Sequence, residues 1–199
     1  MKIPLKYFIL ILIIFTSCKK KSELPILSYH LEKGEKIYYK IDDFNFINQD
    51  GISINSNNTI GQVHTINFFF TSCPSICPPM KIKQLELANY FENKKDFKQY
   101  SISIDLKRDN TQKISDYAKN SNIDSDNWNL LIAKNNTDLQ KIAKEIKTNF
   151  NLNKDFTDFY HSSYLALLDK KQQIRGFYDI LSDREFELLK NDIKDLLNE

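Results

Sequence analysis

Two cysteines, Cys73 and Cys77, are the side chains of this sequence whose type and spacing are best suited to chemistry. Three residues separate them, and Pro78 and Pro79 follow the second cysteine directly. Proline has no amide hydrogen and a preset φ angle, so these two prolines favour the first turn of a helix. Cysteines four positions apart lie on one face of a helical turn, and the amino terminus of a helix stabilises thiolates. The motif therefore predicts a thiol pair that can either form a disulfide or chelate a soft metal ion.

The segments on either side of the cysteines predict a strand, a tight turn and a helix. Residues 63–70 read VHTINFFF, a nearly continuous β-branched and aromatic run that is typical of a strand buried on both faces. Residues 80–93 carry apolar side chains at helical spacing, namely Ile82, Leu85, Ala88 and Phe91. The thiols are therefore expected at the turn between these two elements.

The rest of the chain predicts alternating strands and helices. A hairpin is expected over residues 42–54, because Asn48 to Gly51 form a turn signal between alternating apolar residues. The further predicted elements are a strand at 98–105, a helix at 111–119, a strand at 128–133, a helix from Asn136 or Thr137 to about 149, strands at 163–168 and 173–178, and a helix at 182–197. Residues 150–160 have no clear period and are expected to form a long loop that leads to His161. This order predicts an α/β fold with a mixed central sheet flanked by helices, and the thiols at its carboxyl edge.

The amino terminus has the features of an export signal. Lys2 and Lys6 precede a short apolar run at residues 7–15, which is shorter than a typical membrane-spanning helix. The Thr-Ser-Cys sequence at 16–18 resembles the end of a bacterial lipoprotein signal, in which Cys18 becomes the acylated first residue of the mature chain. We therefore expect residues 1–17 to be a signal peptide. An uncleaved signal anchor is the alternative, and it would place the domain on the same side of the membrane.

The residues after the signal are expected to divide into a tether and a domain. Residues 18–40 have little apolar periodicity and are predicted to be a lipid-anchored tether, with the domain at 41–199. Without the signal the chain has equal numbers of basic and acidic residues, so its charge does not favour nucleic acid binding. Acylation of Cys18 would leave Cys73 and Cys77 as a self-contained pair in an oxidising compartment.

Four features of the chain resemble the Sco/SenC family. The segment FFTSCPSICP at 69–78 resembles the cysteine and proline signature of that family. The segment SISID at 101–105 with Arg108 and Asp109 resembles the SIDPxRD motif, although Leu106 replaces its proline. His161 precedes a late strand where the family has its ligand histidine, and residues 43–51 resemble the opening hairpin of the family.

This resemblance implies a thioredoxin-like fold with an N-terminal β-hairpin, and a copper site formed by Cys73, Cys77 and His161. It also implies a role in assembling the dinuclear copper centre of cytochrome c oxidase, so the expected partner is the copper-site subunit of the oxidase or another copper or thiol client. The expected location is the periplasmic side of a bacterial membrane, on a lipid anchor at Cys18. The family usually has an aspartate where this chain has Tyr160, which leaves open the group that orients the imidazole.

A thiol:disulfide oxidoreductase is the main alternative, with Cys73 and Cys77 as a catalytic dithiol that keeps exported cysteines reduced. The chain has no proline after Pro79, however, so it lacks the cis-proline that faces the thiols in ordinary thioredoxins. A structural disulfide is a weaker alternative because a bridge across so short a loop stabilises little. A peroxidase is disfavoured because Phe70 stands three residues before Cys73.

The type of the ligands indicates the metal, and the positions of the remaining polar residues indicate their roles. Two thiolates and an imidazole match the ligand preference of Cu(I), whereas a structural zinc ion prefers a fourth ligand. His64 lies within the predicted buried strand and is expected to be packed rather than a ligand. Tyr160, Asp105 and Asp109 are expected to lie around the site without binding the metal.

Overall fold

The computed structural model describes residues 23–124, 126–147, 150–152 and 159–199, and for 150–152 and 159–161 it describes the backbone alone. The strands are β1 Tyr29–Glu32, β2 Glu35–Tyr38, β3 Asn45–Asn48, β4 Ser53–Asn55, β5 Val63–Phe69, β6 Phe97–Ser103, β7 Trp128–Ala133, β8 Phe150–Leu152, β9 Phe159–His161, β10 Tyr164–Leu168 and β11 Ile174–Asp179. The helices are α1 Ser56–Thr59, α2 Cys77–Tyr90, α3 Thr111–Asn120, α4 Asn136–Glu145 and α5 Asp183–Leu197.

A seven-stranded sheet with the order β11-β10-β5-β6-β7-β3-β4 forms the centre of the molecule. Strands β5, β6 and β7 are parallel to one another, and the remaining neighbours in this sheet pair antiparallel. Parallel neighbours need crossover connections, which α2 and α3 supply. The expected mixed sheet is confirmed, and so is the early hairpin, which is the antiparallel pair β3 and β4. Because parallel strands end at the same edge, the loops after β5 and β6 meet there.

Helices cover both faces of this sheet. Alternate residues of β5 point to opposite faces, so Ile66 and Phe68 pack with Ile142 of α4 in one core cluster. On the other face, Val63 packs with residues of α2 and α5, while Phe69 packs with residues of α3. Every residue of β5 is buried, as the apolar run at 63–70 predicts. The strand that leads to the cysteines is therefore fixed by neighbours on both edges and both faces.

The helices begin where polar caps satisfy their first amide groups. The side chain of Asn110 accepts a hydrogen bond from the Lys113 amide at the start of α3, and Ser182 caps α5 as predicted. Asn135 caps α4, so the predicted caps Asn136 and Thr137 are wrong by one or two positions. The asparagine at 135 gives the better cap because its side chain reaches the amide of Asp138 from an extended backbone.

Two short strands replace part of the predicted loop at 150–160. The backbones of β8 and β9 pair antiparallel, with Phe150 opposite His161 and Leu152 opposite Phe159. The prediction missed this pairing because three-residue strands are too short to show a period in the sequence. His161 is the last residue of β9, and β10 begins three positions later at Tyr164.

Residues 24–28 and Ile41, on either side of the β1–β2 hairpin, bond to the edge of the central sheet. The amide of Leu27 donates to the Ile174 carbonyl at 2.7 Å, and the buried hydroxyl of Ser28 accepts from the Ile174 amide. The Arg175 guanidinium donates to the carbonyl of Leu24, and the Ile41 amide bonds to the loop before β11. The part of the predicted tether that the structure describes therefore lies on the domain and ends in a second hairpin, β1 and β2. The domain boundary at residue 41 stays a prediction.

Asp109 joins the ends of β5 and β6. Its carboxylate accepts hydrogen bonds from the Thr71 amide at 3.1 Å, the Thr71 hydroxyl at 2.5 Å and the Ser103 hydroxyl at 2.6 Å. The Lys113 ammonium group lies 3.9 Å from the same buried carboxylate. Since Thr71 precedes Cys73 by two residues, these bonds fix the start of the cysteine loop to the neighbouring strand.

Among the described residues, none of the helices combines the length and apolarity needed to cross a bilayer.

The burial of His64 is expected to make the domain less stable in mild acid. The imidazole is 1% exposed, and burial lowers its pKa from 6.5 to about 4, against the opposing effects of the Gln62 carbonyl and the Asp169 carboxylate. Between pH 6.5 and about pH 4 the imidazole of His64 is protonated in the unfolded chain and neutral in the native chain. The free energy of unfolding therefore decreases as the pH falls through that window. We expect a loss on the order of 2–3 kcal/mol between pH 7 and 4.5 from this group. Urea unfolding at several pH values should show that His64→Asn has a flatter pH dependence, while the exposed control His30→Asn keeps the slope of the parent.

Asp109→Asn is expected to destabilise the domain and loosen the cysteine loop. An amide replaces one acceptor oxygen with a donor, so at least one of the Thr71 or Ser103 donors loses its partner. We expect a loss of about 2 kcal/mol, typical of a buried hydrogen bond to a charged group. Urea unfolding and hydrogen exchange of residues 71–77 measure the two effects. Asp116→Asn, an exposed change on α3, is the matched control, and equal behaviour of the two variants would contradict the role of Asp109.

Candidate metal centre

Cys73 lies in the turn between β5 and α2. Its amide donates to the Phe70 carbonyl at 3.2 Å, and its half-buried side chain packs against the core clusters on both faces of the sheet. The Ser75 hydroxyl lies 3.9 Å from its Sγ atom. The neighbouring Pro74 and Ser75 are exposed, so this thiol stands at the surface end of the motif.

Cys77 is the first residue of α2 and is 5% exposed. The start of α2 has no side-chain cap, but Pro78 and Pro79 in its first turn lack amide hydrogens and so reduce the number of unpaired donors. Cys73 precedes the helix, so the expectation that both cysteines share one helical face is wrong. The turn nevertheless brings the two side chains within hydrogen-bond contact of each other.

The two thiols have opposite ionisation properties. Partial burial raises the pKa of Cys73, but hydrogen bonds from Cys77 and Ser75 outweigh burial and bring this pKa below its usual value. Burial raises the pKa of Cys77 strongly, and the hydrogen bond to Cys73 raises it further. The helix terminus was expected to favour both thiolates, and for Cys77 the cost of burying a charge outweighs that effect. Cys73 is therefore the thiol that ionises first.

A buried polar network holds α2 in place behind Cys77. The Gln84 side-chain amide donates to Asn67 at 3.0 Å and to Ser101 at 3.1 Å, and the Ser101 hydroxyl donates to Asn67 at 2.7 Å. The Trp128 indole donates to the same hydroxyl at 2.9 Å. A small cavity of about 10 Å³ lies between this network and Cys77. The network connects α2 to β5, β6 and β7, so it fixes the position of the buried thiol.

Tyr117 of α3 is a neighbour of the thiols that the sequence did not reveal. Its ring lies 5.9 Å from that of Phe69, and the Lys81 ammonium group lies 5.3 Å from its centre. Burial raises the pKa of Tyr117 to about 12, and negative charge at Cys77, Cys73 or Asp109 adds to this shift. No sequence signal marks this residue because helical spacing alone does not show which element faces α3.

His161 is described by its backbone alone. It pairs with Phe150, and the chain then enters β10, which runs antiparallel to β5 with Ala166 opposite Ile66. Strand β10 therefore starts at the edge of the sheet where β5 ends, and the residues just before it approach the edge that carries the thiols. The side chains of His161 and Tyr160, and all of Cys18, lie outside the described residues.

The remaining candidates have structural contacts. His64 is buried against the Tyr100 ring, 5.5 Å away, as the packed interpretation predicts. Asp105 forms an ion pair with Arg108, and the Asp109 carboxylate accepts hydrogen bonds from Thr71 and Ser103. Among the side chains that the structure describes, no three of histidine, cysteine, aspartate and glutamate group together as a metal cluster. No disulfide bond joins Cys73 and Cys77.

A larger cavity of about 670 Å³ lies away from the thiols. It is bordered by residues 23–26 and by the buried ion pair of Arg175 and Asp169. Its lining contains neither cysteine, so it belongs to the packing of the N-terminal segment and not to the thiol site.

Solved structures of known proteins share this fold. A SCO1/SenC family lipoprotein from Bacillus anthracis str. Ames is 26% identical, with a TM-score of 0.72 over 86% of this chain and 96% of that one. BsSco, described as a Sco family cytochrome c oxidase assembly protein with a disulfide switch, is 22% identical, with a TM-score of 0.73 over 88% and 98%. Arabidopsis thaliana ScoI with copper bound is 23% identical, with a TM-score of 0.63 over 76% and 96%.

The sequence also matches a known family over most of its length. Residues 34–198 match SCO1/SenC, a range that includes both cysteines, His161 and every strand of the central sheet. With the mixed sheet, the thiol turn and the structural neighbours in agreement, the chain belongs to the SCO1/SenC family and has its thioredoxin-like fold.

Proposed function

We propose that this protein binds copper through Cys73, Cys77 and His161 and supplies it during assembly of the dinuclear copper centre of cytochrome c oxidase. The observation that carries the proposal is the side-chain contact between Cys73 and Cys77 at the carboxyl edge of the sheet in a SCO1/SenC chain. Copper is then cargo that the protein receives and releases.

The chemistry of the donor set supports copper. Thiolates are soft ligands that favour Cu(I), and an imidazole is acceptable to both copper oxidation states. Three ligands leave an open side from which a client ligand can attack the metal. The backbone of His161 supports its inclusion, since β9 ends there and β10 then starts at the thiol edge. The copper-bound Arabidopsis ScoI is a structural neighbour in which this metal occupies the same fold.

The burial of the two thiols suits a site that exchanges metal. Cys73 is half-buried beside exposed residues, so a client ligand can reach it first. Cys77 is buried and its pKa is raised, so it remains protonated until a metal ion displaces its proton. Copper binding is therefore coupled to proton release, and affinity falls as the pH falls.

A thiol:disulfide oxidoreductase is the second candidate, and the difference between the thiols favours it. Cys73 has the lowered pKa and the greater exposure, which suits attack on a client disulfide. Cys77 then attacks the mixed disulfide, so that the client gains two electrons and two protons while Cys73 and Cys77 form a disulfide. BsSco, with its disulfide switch, is a structural neighbour of this chain. This activity needs both cysteines but has no role for His161.

We further propose that the mature chain is attached by lipid at Cys18 to the periplasmic side of a bacterial membrane. The Thr-Ser-Cys sequence at 16–18 supports this attachment, and the Bacillus anthracis neighbour is a lipoprotein of the same family. The tether would then begin at Cys18 and pass directly to the packed residues at 24–28.

Substituting His161 separates the two candidate functions. If the imidazole is a copper ligand, His161→Ala should weaken Cu(II) binding at least about tenfold and Cu(I) binding less, because two soft thiolates remain. Cys73→Ser with Cys77→Ser should abolish Cu(I) binding, whereas the exposed control His30→Ala should change neither affinity. Competition titrations with chromogenic chelators under anaerobic conditions measure all four proteins.

Cellular assays of the same variants separate the copper role from the dithiol role. His161→Ala should lose oxidase assembly in copper-limited cells while its dithiol still reduces a model disulfide at the parental rate. Normal oxidase assembly by His161→Ala would reject the copper proposal and favour the oxidoreductase.

Changing Cys18 tests the lipid attachment. Cys18→Ser removes the thiol that would carry the acyl chain, so the protein should lose the lipid mass and leave the membrane fraction or persist as precursor. Ser17→Ala is the control, because it keeps a small residue before the cysteine and should still be processed. Intact-protein mass spectrometry decides the matter, and a parental protein that retains Met1 and carries no acyl chain would contradict the proposal.

A further inference from the structure

Strands β1 and β2 form a hairpin that belongs to neither face of the central sheet. They pair only with each other among the described strands, with Tyr29 opposite Tyr38 and Leu31 opposite Lys36. A two-stranded hairpin is at best marginally stable in water by itself. The side chain of Leu31 is 67% exposed and that of Tyr38 is 50% exposed. The hairpin thus presents apolar surface that this domain does not cover.

The two faces of the hairpin differ in chemistry. Because cross-strand partners point to the same side, Tyr29, Leu31, Lys36 and Tyr38 share one face. The rings of Tyr29 and Tyr38 contact each other edge to face at 6.0 Å, and the Lys36 ammonium group lies 4.3 Å from the Tyr29 ring centre. The opposite face carries both acidic residues of the hairpin strands, Glu32 and Glu35. One face is therefore aromatic, aliphatic and basic, whereas the other carries Glu32 and Glu35 next to the turn and His30 and Ile37 nearer the base.

The base of the hairpin is fixed to the domain at the amino edge of the parallel strands. Leu27 bonds to Ile174, which pairs with Leu168, and Leu168 lies opposite His64 near the start of β5. The Lys147 ammonium group donates to the carbonyls of Leu27 and Tyr29 just after α4 ends. The thiols follow the other end of β5, so about 20 Å of strand separates the two edges.

We propose that the Tyr29–Tyr38 hairpin seats its Tyr29, Leu31, Lys36 and Tyr38 face on the lipid bilayer and holds the thiol edge away from it. Tyrosine rings at the level of the headgroups and a lysine whose methylene stem lies in the apolar layer are typical of the membrane interface. The face that carries Glu32 and Glu35 then points away from the lipid, which avoids burying these carboxylates and their repulsion from anionic headgroups.

The length of the preceding chain supports this partner. The inference rests on the membrane attachment proposed above, and five residues from Cys18 to Glu23 reach at most about 18 Å. With an uncleaved apolar anchor ending at residue 15, eight residues reach at most about 28 Å. Residue 23 lies next to the base of the hairpin, since Leu24 and Leu27 bond to Arg175 and Ile174. Attachment at Cys18 therefore keeps the hairpin within reach of the bilayer, while the thiol edge, about 20 Å farther along the sheet, lies beyond the span of about 18 Å. The longer uncleaved anchor permits the same seating without enforcing it.

Fluorescence quenching by brominated lipid tests this seating. The full chain is incorporated into nanodiscs of phosphatidylcholine and phosphatidylglycerol, with either Leu31→Trp or Ile82→Trp. Position 82 is the matched control because it is 65% exposed and lies near the start of α2, at the thiol edge. Lipids brominated near the top of the acyl chain should quench the indole of Leu31→Trp about twofold and leave that of Ile82→Trp unchanged. The native Trp128 is buried and gives a constant background.

Hydrogen exchange provides the second measurement without an added indole. The amides of residues 29–38 should exchange more slowly in nanodisc-bound parental chain than in the Leu31→Asp, Tyr38→Asp variant, whereas Ile82→Asp should behave like the parent. Equal quenching at positions 31 and 82, or protection that depends on protein concentration as a second copy would require, overturns the seating. Failure of the chain to join nanodiscs overturns it together with the lipid attachment. The copper affinity of these variants is measured separately, because it depends on the thiol site and not on the hairpin.

Discussion

The buried carboxylate of Asp109 is the interaction on which the thiol edge depends. It stands where two parallel strands end, and it accepts bonds from the main chain and side chain of Thr71 and from Ser103. A buried charge is tolerated only when donors surround it, so the three donors and the nearby Lys113 keep this carboxylate in one position. The constraint works in both directions, because the same bonds that satisfy Asp109 hold the chain two residues before Cys73. The loop that carries a thiol is thereby attached to the rigid sheet.

The second thiol is held by a different device. Cys77 begins a helix whose position is fixed seven residues later, where Gln84 enters the network of Asn67, Ser101 and Trp128. Each polar group in that network has partners, which is the condition for a buried polar cluster to confer rigidity. One thiol is therefore attached to the end of a strand and the other to the start of a helix. Their different surroundings explain why the pKa of Cys73 lies below its usual value and that of Cys77 lies above it.

The sequence predicted the central elements well where local signals are strong. The β-branched run before the cysteines, the prolines after them and the Ser182 cap each have a local physical cause, and the structure places these elements as expected. The pairing of β8 with β9 and the packing of residues 24–28 were missed because they depend on partners far away in the chain. Tyr117 and Gln84 were missed for the same reason, since their proximity to the thiols arises only when the helices pack. The thiol pair could be read from spacing, but the difference in ionisation between its members could not, since burial causes it.

The topology of the fold also separates attachment from chemistry. In a sheet whose central strands run parallel, one edge collects the loops after the strands and the opposite edge receives the chain before them. The thiols occupy the first edge because they follow β5, and the N-terminal segment occupies the second because it bonds beside β11 where that strand begins. Under the proposed attachment at Cys18, this topology places the thiols on the side of the domain that faces away from the membrane. A copper or thiol client that projects from the same membrane would then meet this edge at least about one strand length above the surface, because β5 separates the two edges.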